Sequence, residues 1–346
     1  MTKPKLIVPV VLSLIAVLVA VIYIGLKIKN TSLSASPQNS TTPINVQSLK
    51  SALTRQDITK TLENSGIVKS GFGTNDGGIC FLTIDFSVNF QRFSSNTVQI
   101  LQKGSSIYTQ GKILSGKNRC IVMLSGKDGI DTFSINPAGT ITKVDVDASY
   151  FGQANEEYFI VPTEKAFALL DSNSNKVSDI WNKEKLVFTI APISSQEYFA
   201  VTNYDSEQNF GKLIYRNVGK QDIFLADVEH ILGIFSNQNS VLYIEQTGEK
   251  MQGWLLDKSG NTLAQIADID PSNVIAYKTG FLFKTKPSGP GAEDNQGSTI
   301  GYVEKDGSVR AIIGSEGGFD IDSITVLGDI VYASEGPAVW KVQTGV

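Results

Sequence analysis

Glu157-Tyr-Phe-Ile-Val161 and Glu197-Tyr-Phe-Ala-Val201 lie 40 residues apart and differ at one position. Val241-Leu-Tyr-Ile244, Phe281-Leu-Phe283 and Ile330-Val-Tyr332 occupy the same slot further along. Near-continuous apolar runs of this kind predict strands covered on both faces. A second motif travels with the first. It carries an aromatic or large apolar residue, then a turn with Asp or Asn and usually Gly. Phe133-Ser-Ile-Asn136-Pro-Ala-Gly139 and Trp254-Leu-Leu-Asp257-Lys-Ser-Gly260 are the clearest copies. Tyr302 leads into Asp306-Gly307, residues 167–171 and 214–217 fit more loosely, and Trp340 begins another copy as the chain ends. Asp, Asn and Gly suit these turns because they accept the left-handed backbone of a tight hairpin.

A unit of four short strands repeating about every 40 residues is the signature of a propeller blade. The strands are called a to d, from the axis outward. Six a–b pairs can be placed from Lys112 onward. The last c strand, 338–344, has no d strand behind it. A segment between residues 67 and 109 is expected to complete that blade and close the ring, which removes free sheet edges. The same stretch, 79–87 included, is expected to hold one more blade. The fold expectation is all-β, with seven blades over residues 66–346 and six as the alternative. Residues 112–346 thus resemble the β-propeller superfamily, at the level of architecture. The Gly-His and Trp-Asp pairs of WD40 repeats and the Trp docking motif of quinoprotein blades are missing. Asp257-Lys-Ser-Gly-Asn-Thr is similar to the sialidase Asp-box but has one residue too many between Asp and Gly. No family's functional residues carry over.

The N-terminus speaks to location. Residues 6–26 carry no charge over 21 positions, the length that crosses a bilayer as a helix. A cleaved signal peptide has a shorter apolar core and a small-residue cleavage site close behind. Here Lys27 and Lys29 follow directly, which predicts a retained single-pass signal-anchor. Lys3 and Lys5 nearly balance them, so the short tail 1–5 and the large body behind decide for an inside N-terminus. The body is then expected on the extracytoplasmic side of the cell membrane. Residues 27–65 read as a Ser/Thr-rich flexible stalk and a short helix, the helix suggested by Val46, Leu49, Leu53, Ile58 and Leu62, with Gly66 ending it.

Bulk chemistry narrows the function. A net charge of −4 gives no electrostatic case for nucleic acid. One histidine, His230, and two cysteines, Cys80 and Cys120, are too few for a His/Cys zinc site. No nucleophile elbow, phosphate loop, metalloprotease motif or dinucleotide fingerprint is present. No catalytic residue is assigned, and His230 reads as a satisfied polar group at a strand start. Cys80 and Cys120 are one repeat length apart, so they fit either an inter-blade disulfide or two buried thiols. Trp181, Trp254 and Trp340 read as core.

One polar pattern recurs. Asp145 and Asp147, Asp227 and Glu229, Asp268 and Asp270, and Asp320 and Asp322 stand as paired acids where a d strand gives way to the next a strand. The d-to-a and b-to-c connections leave a blade from the same end, so these corners are expected to ring one mouth of the central channel. Such acids hold turns by accepting nearby backbone N–H groups. They also form an acidic rim for a cation, Ca²⁺, or a basic partner segment. The spacing is not that of an EF-hand, and no other cofactor is implied. The two long b-to-c connections, 203–211 with Tyr204 and Phe210 and 286–298, point to the same end. The functional expectation is a tethered binding or scaffold module for a protein or glycan. An envelope glycoside hydrolase or lyase using carboxylates at the mouth is the enzymatic alternative, and a structural subunit of an envelope assembly is the third.

Overall fold

The computed structural model describes residues 42–63, 67–95, 97–144, 152–153, 158–162, 166–171, 173, 175–182, 187–285, 297–314 and 320–344. They belong to one compact unit, Thr41–Val346. Residues 6–26, the stalk up to residue 41, Asp145, Asp147 and most of the 286–298 connection lie outside them. Among the described residues no helix is long and apolar enough to cross a membrane.

The described strands form seven four-stranded antiparallel sheets, six in meander order and the seventh completed by a strand from the N-terminal side. Blades 1 to 6 span 67–102, 108–143, 152–182, 187–229, 231–267 and 269–313. Blade 5 shows the plan: a is Ile231–Ser236, b Ser240–Thr247, c Lys250–Asp257 and d Thr262–Ala267. Its c-to-d turn is built as the sequence motif requires. Asp257 Oδ1 accepts the N–H groups of Ser259 and Asn261 at 2.8 and 2.9 Å, and Gly260 turns through φ +88°. An L side chain rarely adopts that φ.

Seven apolar clusters hold the disc together, one at each blade-to-blade interface. Phe199, Leu213, Ile231 and Tyr243 lie between blades 4 and 5. Leu62, Phe72, Phe81 and Tyr332 lie between blades 7 and 1. Because b strands face a neighbour on each side, both faces are apolar; Ser240–Thr247 buries its first five residues in succession. Trp254 packs on the cluster between blades 4 and 5, and Trp340 on that between blades 6 and 7. Trp181 lies in the d strand of blade 3, Lys176–Asn182.

Ring closure departs from the expectation. The d strand of blade 7 is Ile58–Glu63, not a segment from 67–109, and it pairs antiparallel with Ala338–Val342. The 67–102 stretch makes all of blade 1 instead. The short helix over 46–62 is corrected at the same time. Among the described residues two 3₁₀ turns, Val46–Ser48 and Arg55–Asp57, precede that strand. Ile58 and Leu62 look helical at a spacing of four. A register shift between Lys60 and Leu62 instead sends them to opposite faces of the blade. Ile58 joins the cluster shared with blade 6, and Leu62 the cluster shared with blade 1.

The segment before it straps the outer edges of two blades. Ile44 forms a parallel bridge with Ile266 of blade 5, and Leu53 with Ile313 of blade 6. Val46, fully buried, plugs into the cluster between those blades. The strap thereby pairs edge groups that would otherwise stay open. Cys80 and Cys120, both fully buried, form a disulfide between the b strands of blades 1 and 2, with Cα atoms 6.7 Å apart.

Candidate functional site

The alternating strand directions bring the d-to-a and b-to-c connections to one end of the disc, here called the upper end. Backbone strain concentrates there. Six described non-glycine residues have positive φ, and five of them, Phe86, Asn203, Asn209, His230 and Asp268, sit in upper connections. Strain of this sort persists only where surroundings over-determine it, and it gathers at working surfaces.

The junction of blades 4 and 5 is the most elaborate corner. The 203–211 connection is not a loose loop. Strands Glu197–Asp205 and Phe210–Asn217 extend into it, with Asp205 opposite Phe210. Asp205 Oδ1 caps the turn by accepting the N–H groups of Glu207 and Gln208 at 2.9 and 3.2 Å. Tyr204 stacks on Phe188 at 4.1 Å between ring centroids, and its hydroxyl meets Asn209 Oδ1 at 3.3 Å. The N–H of His230 donates to the carbonyl of Asn209 at 2.7 Å, and the carbonyl of His230 accepts from Gln246 at 3.1 Å. His230 is therefore a backbone hinge post, with φ 46°. Asp227 and Glu229 end the d strand rather than follow it, opposite Lys212 and Phe210. The N–H of Glu229 donates to Glu245 Oε1 at 2.8 Å.

The next two corners tie their acids down. Asp268 makes the turn itself, with φ 57°. Asp270 accepts from Ser272 N and Asn273 Nδ2 at 2.9 and 3.0 Å. It also pairs with Lys284 at 3.3 Å, where the lysine side chain is only 9% exposed. Lys284 Nζ reaches on to the carbonyl of Asp322 at 3.1 Å, which links blades 6 and 7. Asp322 Oδ2 accepts the N–H of Gly336 at 2.8 Å, and the N–H of Asp320 donates to Glu335 Oε1 at 3.2 Å. Asp270 and Asp322 thus serve the turns. Among the described residues no group of three or more His, Cys, Asp or Glu side chains is placed to hold a metal ion.

Two kinds of residue escaped sequence reading. Glu245 lies two residues before the end of the b strand of blade 5 and Glu335 ends that of blade 7, and each accepts an N–H of the corner entering its blade. Setting Tyr243 on Tyr332 places Glu245 opposite Ser334, one residue short of Glu335, so the repeat register did not announce the pair. Phe188 and Leu232 are exposed by 49% and 41% through bulges at the starts of their a strands, which no local pattern announces. Burial pushes the Glu245 carboxyl up to about 7, and the nearby Glu229 charge adds to this against the N–H bond it accepts.

Comparison with known proteins agrees on fold. No family model and no curated protein matches the chain. Among solved structures, a chain of the mitotic checkpoint complex is similar over 86% of this chain and 99% of its own, at 10% identity and a TM-score of 0.51. BamB from Moraxella catarrhalis covers 86% and 94%, at 12% identity and 0.48. A streptogramin B lyase covers 82% and 96%, at 12% and 0.48. At such identities the likeness is one of architecture. With seven four-stranded sheets closed by an N-terminal strand, the protein is a β-propeller.

Proposed function

We propose that the protein is a membrane-anchored, extracytoplasmic propeller that acts as a binding or scaffold module and presents its upper end to a protein or glycan. The observation that carries this reading is the corner of blades 4 and 5. There a rigid, strained framework exposes Phe188, stacked on Tyr204, and Leu232 in the next blade instead of burying them. Function on connections held by a stiff scaffold is a common arrangement. The buried inter-blade disulfide favours an oxidising compartment, and the uncharged 6–26 segment supplies the anchor. The test uses the full chain in its native membrane, with a photo-crosslinking residue at Leu232 or, as control, at Val218 in a lower turn. A partner captured from Leu232 alone supports the reading. Equal capture from both positions, or none, sinks it. Protease added outside intact cells should digest the body; protection would place it on the wrong side.

The enzymatic reading keeps one observation in its favour. Glu245 is a carboxyl that holds its proton near neutral pH, as a general acid must. Turnover of an envelope polysaccharide that disappears in Glu245→Gln, with the fold intact, would establish it.

A further inference from the structure

The inner strands of blades 4 and 5 break register at the same place. Val187 faces Thr202 and Thr189 faces Val201, which leaves Phe188 in a bulge. Ile231 faces Glu245 and Gly233 faces Ile244, which leaves Leu232 in the equivalent bulge. Blade 2 breaks likewise between Tyr108 and Gln110, but its extra residue is Thr109. A bulge re-aims a side chain out of the pleat. In blades 4 and 5 the side chain so re-aimed is large and apolar. Tyr204 stacks against the first of them and packs on the cluster containing Ile231, next to the second.

Among the described residues charge around this patch is mainly acidic; Lys183 and Lys185, in the connection before Phe188, lie outside them. Asp205, Glu207, Asp227, Glu229 and Glu249 are exposed at the upper end of blades 4 and 5, with Glu245 half-buried among them. Lys212 and Lys250 are the basic residues described there, and Lys212 lies over the Phe224 ring at 5.7 Å. A second copy docking face to face would set these carboxylates against one another, at a cost. A partner rich in Lys or Arg meets the opposite sign and is drawn in by it.

We propose that Phe188, Tyr204 and Leu232 are the apolar anchor points for a cationic amphipathic segment of a protein partner, with the surrounding acids as its electrostatic rim. This rests on the binding-module reading and narrows it. The bulges supply two neighbouring knobs on a floor fixed by the His230 and Asn209 backbone bond, so the segment pays for its own ordering but not for that of the site.

The experiment uses the full chain in detergent micelles and fluorescence anisotropy with three labelled peptides. One alternates lysines with leucine and tryptophan anchors. The second has serine for every anchor, and the third glutamate for every lysine. The first should bind, more weakly as salt rises, and the other two should bind at least tenfold less tightly. Phe188→Ser with Leu232→Ser should cost tenfold or more in affinity, and Asp227→Asn with Glu229→Gln should flatten the salt dependence. Leu232→Gln alone, a change at a side chain 41% exposed, gives the same reading if the double variant fails to fold. Equal binding of the first two peptides overturns the proposal. So does unchanged affinity in the anchor variants, or self-association in sedimentation that those variants abolish. If all peptides fail while crosslinking from Leu232 still captures a partner, this inference falls and the binding-module reading stands. If both fail, both fall.

Discussion

The N–H of Glu229 donates to the side chain of Glu245 at 2.8 Å, joining the end of one blade to the middle of the next. The bond needs an acceptor, and a neutral side chain supplies one as well as a charged one. Burial makes the neutral form the cheaper occupant.

The sign of the pH effect follows. The folded Glu245 carboxyl titrates at about 7, above its ordinary 4.5. The folded state therefore holds a proton that the unfolded state has lost, and stability falls as pH climbs between those values. Glu245→Gln should be near-neutral at pH 4 and more stable than the parent by about 1–3 kcal/mol at pH 8. Urea unfolding at both pH values decides it, and an equal difference at the two would refute the assignment.

Replacing Cys80 and Cys120 by alanine removes a link that closes a separation of 40 residues. Loop entropy alone puts the loss at about 3–4 kcal/mol. Thermal melting of the double variant and of the reduced parent should drop by similar amounts. A parent that melts unchanged in strong reductant, with both thiols then free, would contradict a stabilising bond.

A chain starting after Glu63 lacks the d strand of blade 7 and leaves Ala338–Val342 as an open edge. It should aggregate or fail to fold. A chain starting at Thr54 keeps that strand but loses Ile44, Val46 and Leu53. It should fold, with weaker amide protection at Ala267, whose N–H donates to the Ile44 carbonyl. Hydrogen exchange separates the two outcomes.

Asp85 gathers the Thr83 and Ser87 hydroxyls at 2.7 Å each and the Ser87 N–H at 3.1 Å. These bonds hold its carboxyl down at about 2, below the usual 3.8. The stabilisation is complete above the ordinary value and fades as pH falls through about 2. The melting difference between parent and Asp85→Ala should shrink steadily from pH 5 to pH 2. A constant difference would mean that the turn does not depend on the charge.

Much of the blade architecture was legible in the chain because each blade writes its own local signature. The b strands announce themselves as doubly covered runs, and Asp257 with Gly260 marks a turn within five residues. The closing strand was not legible. Ile58 and Leu62, four apart, satisfy a helix period as readily as a strand, and only pairing with Val342 and Val339 chooses between them. The turn-holding role of the acidic corners was legible, since Asp270 accepts from Ser272 two residues on; its pairing with Lys284, on the next strand, was not.

Sequence alone determined the repeating unit and its turn chemistry, because those depend on neighbours within one hairpin. Tertiary structure decided which segment shuts the ring, which glutamate keeps its proton and which bulged side chains face outward. Each of these is set by groups brought together from distant parts of the chain, where burial and long-range pairing outweigh any local preference.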